Sequence, residues 1–311
     1  MSSLQIGDFT EQTLNLGKDY EGKVIATLVS SPKNKSGRDS ILYIHGLSDY
    51  FYQTHVADAF HENGYNFYAL DLRKHGRSLL PHQHPNYCRS IREYYEEIDQ
   101  ALEIIDQEQE GSIILYGHST GGLTSSLYLN EGNNRALVNK LILNSPFLQF
   151  NLKGWQQLIL LPLTGVISAI MPYASLKKPF SHLYGASISN QKYGEWEYNT
   201  DWKPLHGFPA YLKWVHAMYT AQKRLNRTSN IDLPILILHS DESSRHQDWN
   251  ENILKTDMVL NVEHMKTHGK ELGSDVTLAE IPNAIHDVLL SKKQVRELAF
   301  EKMFNWLERT V

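Results

Sequence analysis

The chain has 311 residues, 41% of them hydrophobic, and a formal charge of −5. It is long enough to bury a large core and lacks the basic excess of a nucleic-acid-binding protein, so no nucleic-acid partner is expected. Its one cysteine, Cys88, excludes an internal disulfide and a cysteine-only zinc site and suits a reducing compartment, so a cytoplasmic location is expected.

Residues 1–11 show neither a basic n-region nor an apolar h-region, and no signal peptide is expected. Residues 23–30 then read as an early strand and 40–44 as a short apolar one. Residues 54–63 carry apolar side chains at helical spacing and stop before Gly64, and 65–72 read as a strand. A long amphipathic helix is predicted over 90–110, opened by Ser90 with Glu93 three residues later, the pattern of a capping box. Residues 112–116 are again strand-like, 121–130 helical and 138–143 strand-like. This alternation is the mark of a mostly parallel sheet flanked by helices.

The rhythm breaks at Pro146 and resumes with a strand at 234–238, a helix from about Met258, a strand at 276–281 and a closing helix after Ser291. One core domain is therefore expected from 1–146 and 231–311, with 147–230 inserted as a mainly helical cap. That insert holds 14 of the 33 aromatic residues and nine Lys and Arg against three Asp and Glu, which sets it apart as a basic, aromatic module. Lys177, Lys178, Lys213, Lys223, Arg224 and Arg227 supply much of the positive excess, and peripheral membrane contact through them is one expectation. The most apolar run, 155–172, contains Gln156, Gln157, Pro162 and Gly165 and is short for a span. It reads as buried or interfacial, and its first part, 155–163, as an apolar wall over the site described next.

Gly117-His118-Ser119-Thr120-Gly121 places G-x-S-x-G between a predicted strand and a predicted helix. The motif encodes a very tight turn that strains the serine backbone, leaves room only for glycine two residues either side, and lifts the hydroxyl above the strand ends. A hydroxyl needs a base to act as a nucleophile near neutral pH. In the chain order that accompanies this motif the histidine comes last, after the final strand, and His286 lies there. Two aspartates compete for the acid. Asp257 stands 29 positions before His286, room for one helix and one strand, whereas Asp241 stands 45 before it and leaves a polar excursion, 242–256, unexplained. Asp257 is the favoured candidate. The amides of Thr120, after the nucleophile, and of Leu47, after Gly46, are the candidate oxyanion donors. His45 reads as a residue that shapes its loop.

Together, His45-Gly46, the loop from Asp71-Leu72-Arg73 through His75-Gly76 to Ser78, Gly117-His118-Ser119-Thr120-Gly121-Gly122, Asp257-Met258-Val259-Leu260 and His286-Asp287 resemble the monoglyceride-lipase and lysophospholipase-like (serine aminopeptidase-type) branch of the α/β-hydrolases. The resemblance implies the α/β-hydrolase fold, a cap over 147–230, and Asp257 as the acid. Thr120 departs from it, standing where these lipases often have methionine, as does the 242–256 excursion. The 71–78 loop is expected to be structural.

His75, His82 and His84, and the pair His264 and His268, lack carboxylate or cysteine at ligand spacing, so no metal site is expected. No G-x-G-x-x-G or Walker pattern is present and no cofactor is expected. The expected activity is hydrolysis of a carboxylic ester with an apolar acyl chain, monoacylglycerol- or lysophospholipid-like, through an acyl-enzyme. Amide, thioester or small-ester hydrolysis, acyl transfer, and a non-catalytic binding protein of the same fold are the alternatives.

Overall fold

Short apolar runs separated by helix-forming stretches assemble into one eight-stranded sheet in a computed structural model that describes residues 9–176 and 182–310. The chain enters through β1 (Thr10–Asp19) and β2 (Gly22–Ser30) and continues through β3 (Ser40–Ile44), α1 (Thr54–Glu62), β4 (Asn66–Asp71), α2 (Tyr95–Glu108), β5 (Ile113–His118), α3 (Thr120–Glu131) and β6 (Val138–Asn144). A segment outside the main sheet follows, with α4 (Gly154–Ile170), the two-residue strand β7 (Ser175–Leu176), α5 (His182–Ile188), β8 (Ala210–Tyr211) and α6 (Leu212–Thr228). The sheet resumes with β9 (Ile235–Ser240), α7 (Val262–Gly269), β10 (Val276–Ile281) and α8 (Lys293–Arg309).

Strand order is β1-β2-β4-β3-β5-β6-β9-β10. Only the β1–β2 and β2–β4 pairs are antiparallel. The rest run parallel, so their C-terminal ends share one edge. Every residue of β3, β5 and β9 is buried, as parallel strands covered on both faces require. The period-2 alternation divides their side chains between two cores. Leu42, Ile44, Leu115 and Ile237 pack with α2, α3 and α6 on one face, while Ile41, Tyr43, Tyr116 and Leu238 pack with α1 and α8 on the other. The capping box forms as expected. The Ser90 hydroxyl accepts from Arg92 N and the Glu93 carboxylate from Ser90 N, opening a short 3-10 turn that leads into α2.

β6 and β9 are hydrogen-bonded neighbours, so the intervening segment leaves and re-enters the sheet between adjacent strands. Three expectations are corrected. Strand β1 is unforeseen because only Leu14 and Leu16 are buried along this sheet edge. Helix α7 begins at Val262, not near Met258, because Asn261 caps it and the preceding residues turn around the Asp257 carboxylate. Of the two readings of the apolar run, buried or interfacial, burial is the one overturned. Only Leu161 and Ser168 of α4 are buried, while Leu158 is 76% and Ile170 81% exposed. No helix among the described residues is long and apolar enough to cross a membrane. Of the cations expected to charge the insert, Arg224 pairs with Glu131 at 2.6 Å, and Lys177 and Lys178 lie outside the described residues.

Candidate active site

The sharp turn at the end of β5 is where local sequence dictates geometry most strongly. Ser119 has φ +53° and ψ −115°, a strained backbone for a side-chain-bearing residue. A Cβ on Gly117 would lie 2.7 Å from Gly121 O, and one on Gly121 2.3 Å from Ile44 O, so the turn closes only with glycine at both positions. Ser119 N donates to Asn144 O at the end of β6, 3.0 Å away, which fixes the turn against the neighbouring strand.

His286 sits on the loop after β10. With its Nδ1 protonated, it donates to Asp257 Oδ2 at 2.8 Å, while the Ser119 hydroxyl donates to its Nε2 at 3.0 Å. All three side chains are buried. The other oxygen of Asp257 accepts from Val259 N (2.7 Å) and Leu260 N (2.8 Å), so the carboxylate is aimed by its own turn. Asp241 is not part of this chain of hydrogen bonds. It is exposed at the end of β9 and accepts from Asn283 N at 2.9 Å.

A second network holds the histidine loop. Asn144 Nδ2 donates to Asp287 Oδ1 at 2.7 Å, and Val288 N donates to Asn144 Oδ1 at 3.2 Å. One residue thus anchors both the serine turn and the His286 loop. The sequence reading did not single out Asn144; its only local signal is a polar residue closing an apolar strand. His45 is fully buried and accepts from Leu72 N at 3.0 Å, tying its loop to the 71–78 loop. In that loop Arg73 pairs with the buried Glu97 and Arg77 with Asp71, away from the serine.

Beside Ser119, a Cβ on Gly46 would lie 3.1 Å from the serine Cβ, so the Gly46–Leu47 backbone passes close to the hydroxyl. Thr120 follows Ser119 directly, at the first position of α3. Among the described residues neither the Leu47 nor the Thr120 amide has a hydrogen-bond acceptor. His118, between the elbow glycine and Ser119, is buried against His286 with ring centroids 5.0 Å apart, and burial lowers its pKa, keeping it neutral.

These groups open into a cavity of about 450 Å³. Its apolar wall is made by Phe147, Tyr184, Ile188, Leu205, Trp214 and Met258. Residues 155–163, expected to form that wall, contribute nothing to it; α4 packs on α6, with Gly165 close against His216, and of its residues only Leu161 and Ser168 are buried. Lys203 from the inserted segment and Asp49 from the loop after β3 meet in the cavity at 2.6 Å, both buried. Arg245 and His246, from the polar excursion, also line it. Sequence reasoning missed all four, since nothing local marks a charge that becomes buried. Among the described residues no three His, Cys, Asp or Glu side chains converge as a metal site would need.

The profile of the serine aminopeptidase S33 family matches residues 35–293. Among solved structures the chain is similar to a soluble variant of monoglyceride lipase from Saccharomyces cerevisiae in complex with a substrate analogue, at TM-score 0.71 and 15% identity over 99% of both chains. It is also similar to a thermostable carboxyl esterase from Bacillus coagulans in complex with glycerol, at TM-score 0.65 and 14% identity over 97% of this chain and 98% of that one. A third likeness is Est1E from Butyrivibrio proteoclasticus with ferulic acid bound, at TM-score 0.57 and 18% identity over 96% and 98%. At these identities the likenesses speak for the fold alone, a mostly parallel sheet flanked by helices.

Proposed function

The chain belongs to the serine aminopeptidase S33 family of α/β-hydrolases, and from that membership we propose that it hydrolyses a carboxylic ester with an apolar acyl chain, the class to which monoacylglycerols and lysophospholipids belong. The observation that carries the proposal is the buried hydrogen-bond chain from Ser119 through His286 to Asp257 on the floor of a cavity with an apolar side. In this reading Ser119 Oγ attacks the ester carbonyl carbon as His286 Nε2 takes its proton. Asp257 holds the imidazole in the tautomer that leaves Nε2 free and stabilises the imidazolium as it forms. The Leu47 and Thr120 amides receive the developing oxyanion. The tetrahedral intermediate collapses, His286 returns the proton to the departing alcohol, and water activated by the same histidine then cleaves the acyl-enzyme.

Residues 147–230 act in this reading as a cap, since they supply Tyr184, Ile188, Leu205 and Trp214 to the cavity. The outward apolar face of α4, with Leu158, Ile159, Val166 and Ile170 exposed, supports a contact with a lipid surface from which such a substrate is drawn. Peptide-bond cleavage from a free N-terminus, which the family description suggests, needs a carboxylate to receive the substrate ammonium. Among the described residues Asp49 is the one carboxylate on the cavity wall, and it is already paired with Lys203, which argues for the ester.

A fluorophosphonate probe, followed by peptide mass analysis, tests the nucleophile. The adduct is expected on Ser119, and labelling that persists in Ser119→Ala refutes the assignment. Esters from acetyl to long acyl test the chain. Each buried methylene is worth roughly 0.8 kcal/mol, so kcat/KM is expected to rise about fourfold per carbon until the cavity is full. A steady fall from acetyl upward leaves a small-ester esterase.

A further inference from the structure

The excursion at 242–256 is a closed loop with a defined neck. Ser244 N donates to Asp257 O at 3.0 Å and Asp257 N donates to Glu242 O at 2.9 Å, while Val262 N donates to Ser243 Oγ at 2.8 Å. The two ends of the loop are thus hydrogen-bonded across the residue that carries the acid. Further out, Trp249 stacks on Tyr193 of the inserted segment, ring centroids 3.7 Å apart, so the loop is held at its far side as well. Arg245 and His246 stand just past the neck, and both line the cavity.

Their chemistry is unspent. Arg245 makes one hydrogen bond, from Nη2 to Asn151 O at 2.9 Å, and has no carboxylate partner among the described residues. His246 Nε2 is buried with no hydrogen-bond partner. The other fixed charges on the cavity wall, Asp49 and Lys203, neutralise one another. Among the described residues the cavity wall therefore carries one cation without a carboxylate partner, the solvent-exposed Arg245, whose fork of N–H donors suits two oxygens of a carboxylate or phosphate.

We propose that Arg245 and His246 form a receiving site for an anionic oxygen group, carboxylate or phosphate, carried by the substrate away from the bond that Ser119 attacks. The proposal rests on the ester-hydrolase reading and narrows it: the preferred substrate is an ester with a negatively charged group, and a neutral ester of the same shape leaves the Arg245 charge to solvent and the buried His246 nitrogen without a partner. The excursion exists, on this view, to bring a charge reader into the cavity on the segment that also positions the acid.

Two matched pairs read the site. One compares 4-nitrophenyl valerate with the mono-4-nitrophenyl ester of glutaric acid, where the anion is on the acyl side. The other compares 1-butyrylglycerol with 1-butyrylglycerol 3-phosphate, where it is on the alcohol side. In at least one pair the anionic member is expected to have the higher kcat/KM, by roughly tenfold. Arg245→Gln is expected to lower that ratio about tenfold through KM, with partial recovery in Arg245→Lys and a smaller drop in His246→Phe. Ratios near or below one in both pairs, or an Arg245→Gln effect equal on neutral and anionic members, overturn the proposal while leaving ester hydrolysis standing. Calorimetric titration with glutarate and with glycerol 3-phosphate reads the site without turnover. Binding weakened about tenfold by Arg245→Gln supports it even if no ester is cleaved, which would sink only the hydrolase reading. Absent binding, or binding indifferent to the substitution, overturns it.

Discussion

The sheet and the segment inserted into it place their apolar side chains in opposite ways. In β3, β5 and β9 every residue is buried, and the alternating faces feed two cores. In α4, the most apolar helix of the chain, two residues of seventeen are buried. The sheet uses its hydrophobic surface to fold, because each strand face has a helix layer against it. Helix α4 is apolar on nearly every side but has only α6 and the body to lean on, so most of its surface is free for a purpose other than stability. In the proposed function the body is a scaffold that fixes the reacting groups, and the insert is a surface that selects what reaches them.

The strongest way to break this division is at the scaffold. Asp257→Asn should leave the fold intact and lower kcat by about 10⁴, because the amide favours the wrong imidazole tautomer. Asp241→Asn should change kcat little, as Asp241 is exposed at the strand end and accepts from Asn283 N and the Ser240 hydroxyl, away from His286. Steady-state kinetics of both variants on one short ester decides the matter, and the reverse ranking would place the acid at Asp241.

The next effect tests the seam between the two regions. Lys203 and Asp49 are a buried pair joining insert to body, backed by Phe208 N donating to Ser48 Oγ and Asn199 N donating to Tyr50 Oη. Lys203→Met leaves buried Asp49 without its counter-charge, holding only Tyr50 N among the described residues, and should cost about 3–5 kcal/mol of stability. Lys203→Met with Asp49→Asn should recover much of that loss. A urea denaturation series on the two single variants and the double variant measures the coupling. Additive losses would mean that the pair does not act as a unit.

Legibility follows the range of the interactions involved. The parallel strands and the Ser119 turn could be read because both are local: a short continuous apolar run marks a buried strand such as 40–44, and the Gly117–Gly121 turn is a property of five residues. Asp257 was preferred because the spacing to His286 fits one helix and one strand. What escaped depends on contacts far apart in sequence. Asn144 meets Asp287 across 143 positions, and Lys203 meets Asp49 across 154. Strand β1 escaped because at the sheet edge its two buried leucines are too few to show a period. Helix α4 misled because composition reports how apolar a run is, and the partners it meets decide whether it is buried.

A smaller effect comes from acid. Burial lowers the pKa of His55, His75, His118 and His239 below the ordinary 6.5, so the folded body keeps them neutral. The unfolded chain takes up protons at these positions once the pH drops below about 6.5. Stability contributed by neutral burial is therefore complete above that pH and is lost progressively below it, until the lowered folded values are reached. Urea midpoints should fall between pH 7.5 and 5.5. His75→Gln, which keeps a donor for Arg73 O, should flatten that slope by one residue's share. An unchanged slope would assign the acid sensitivity to other groups.

The smallest expected change in stability is the one that bears most directly on the contrast between scaffold and surface. Leu158, Val166 and Ile170 are 76%, 62% and 81% exposed, so their burial contributes little to folding. Replacing all three with glutamate should shift stability by no more than about 0.5 kcal/mol at each site. The same change at Leu115 of β5, which is fully buried, would introduce an unpaired charge into the core and abolish folding. If α4 faces a lipid surface, the triple variant should lose sedimentation with vesicles and activity on vesicle-borne substrate. It should retain full activity on a soluble short ester, because no residue of α4 between 155 and 163 lines the cavity and neither Val166 nor Ile170 does. Glutamates also separate two sources of affinity. Binding lost to neutral and anionic vesicles alike points to the apolar face, whereas loss confined to anionic vesicles points to charge on the insert, where Lys223 is exposed and Arg224 is held by Glu131. A triple variant that binds vesicles like the parent would show that the exposed helix has no part in lipid contact, and that its surface faces something other than a bilayer.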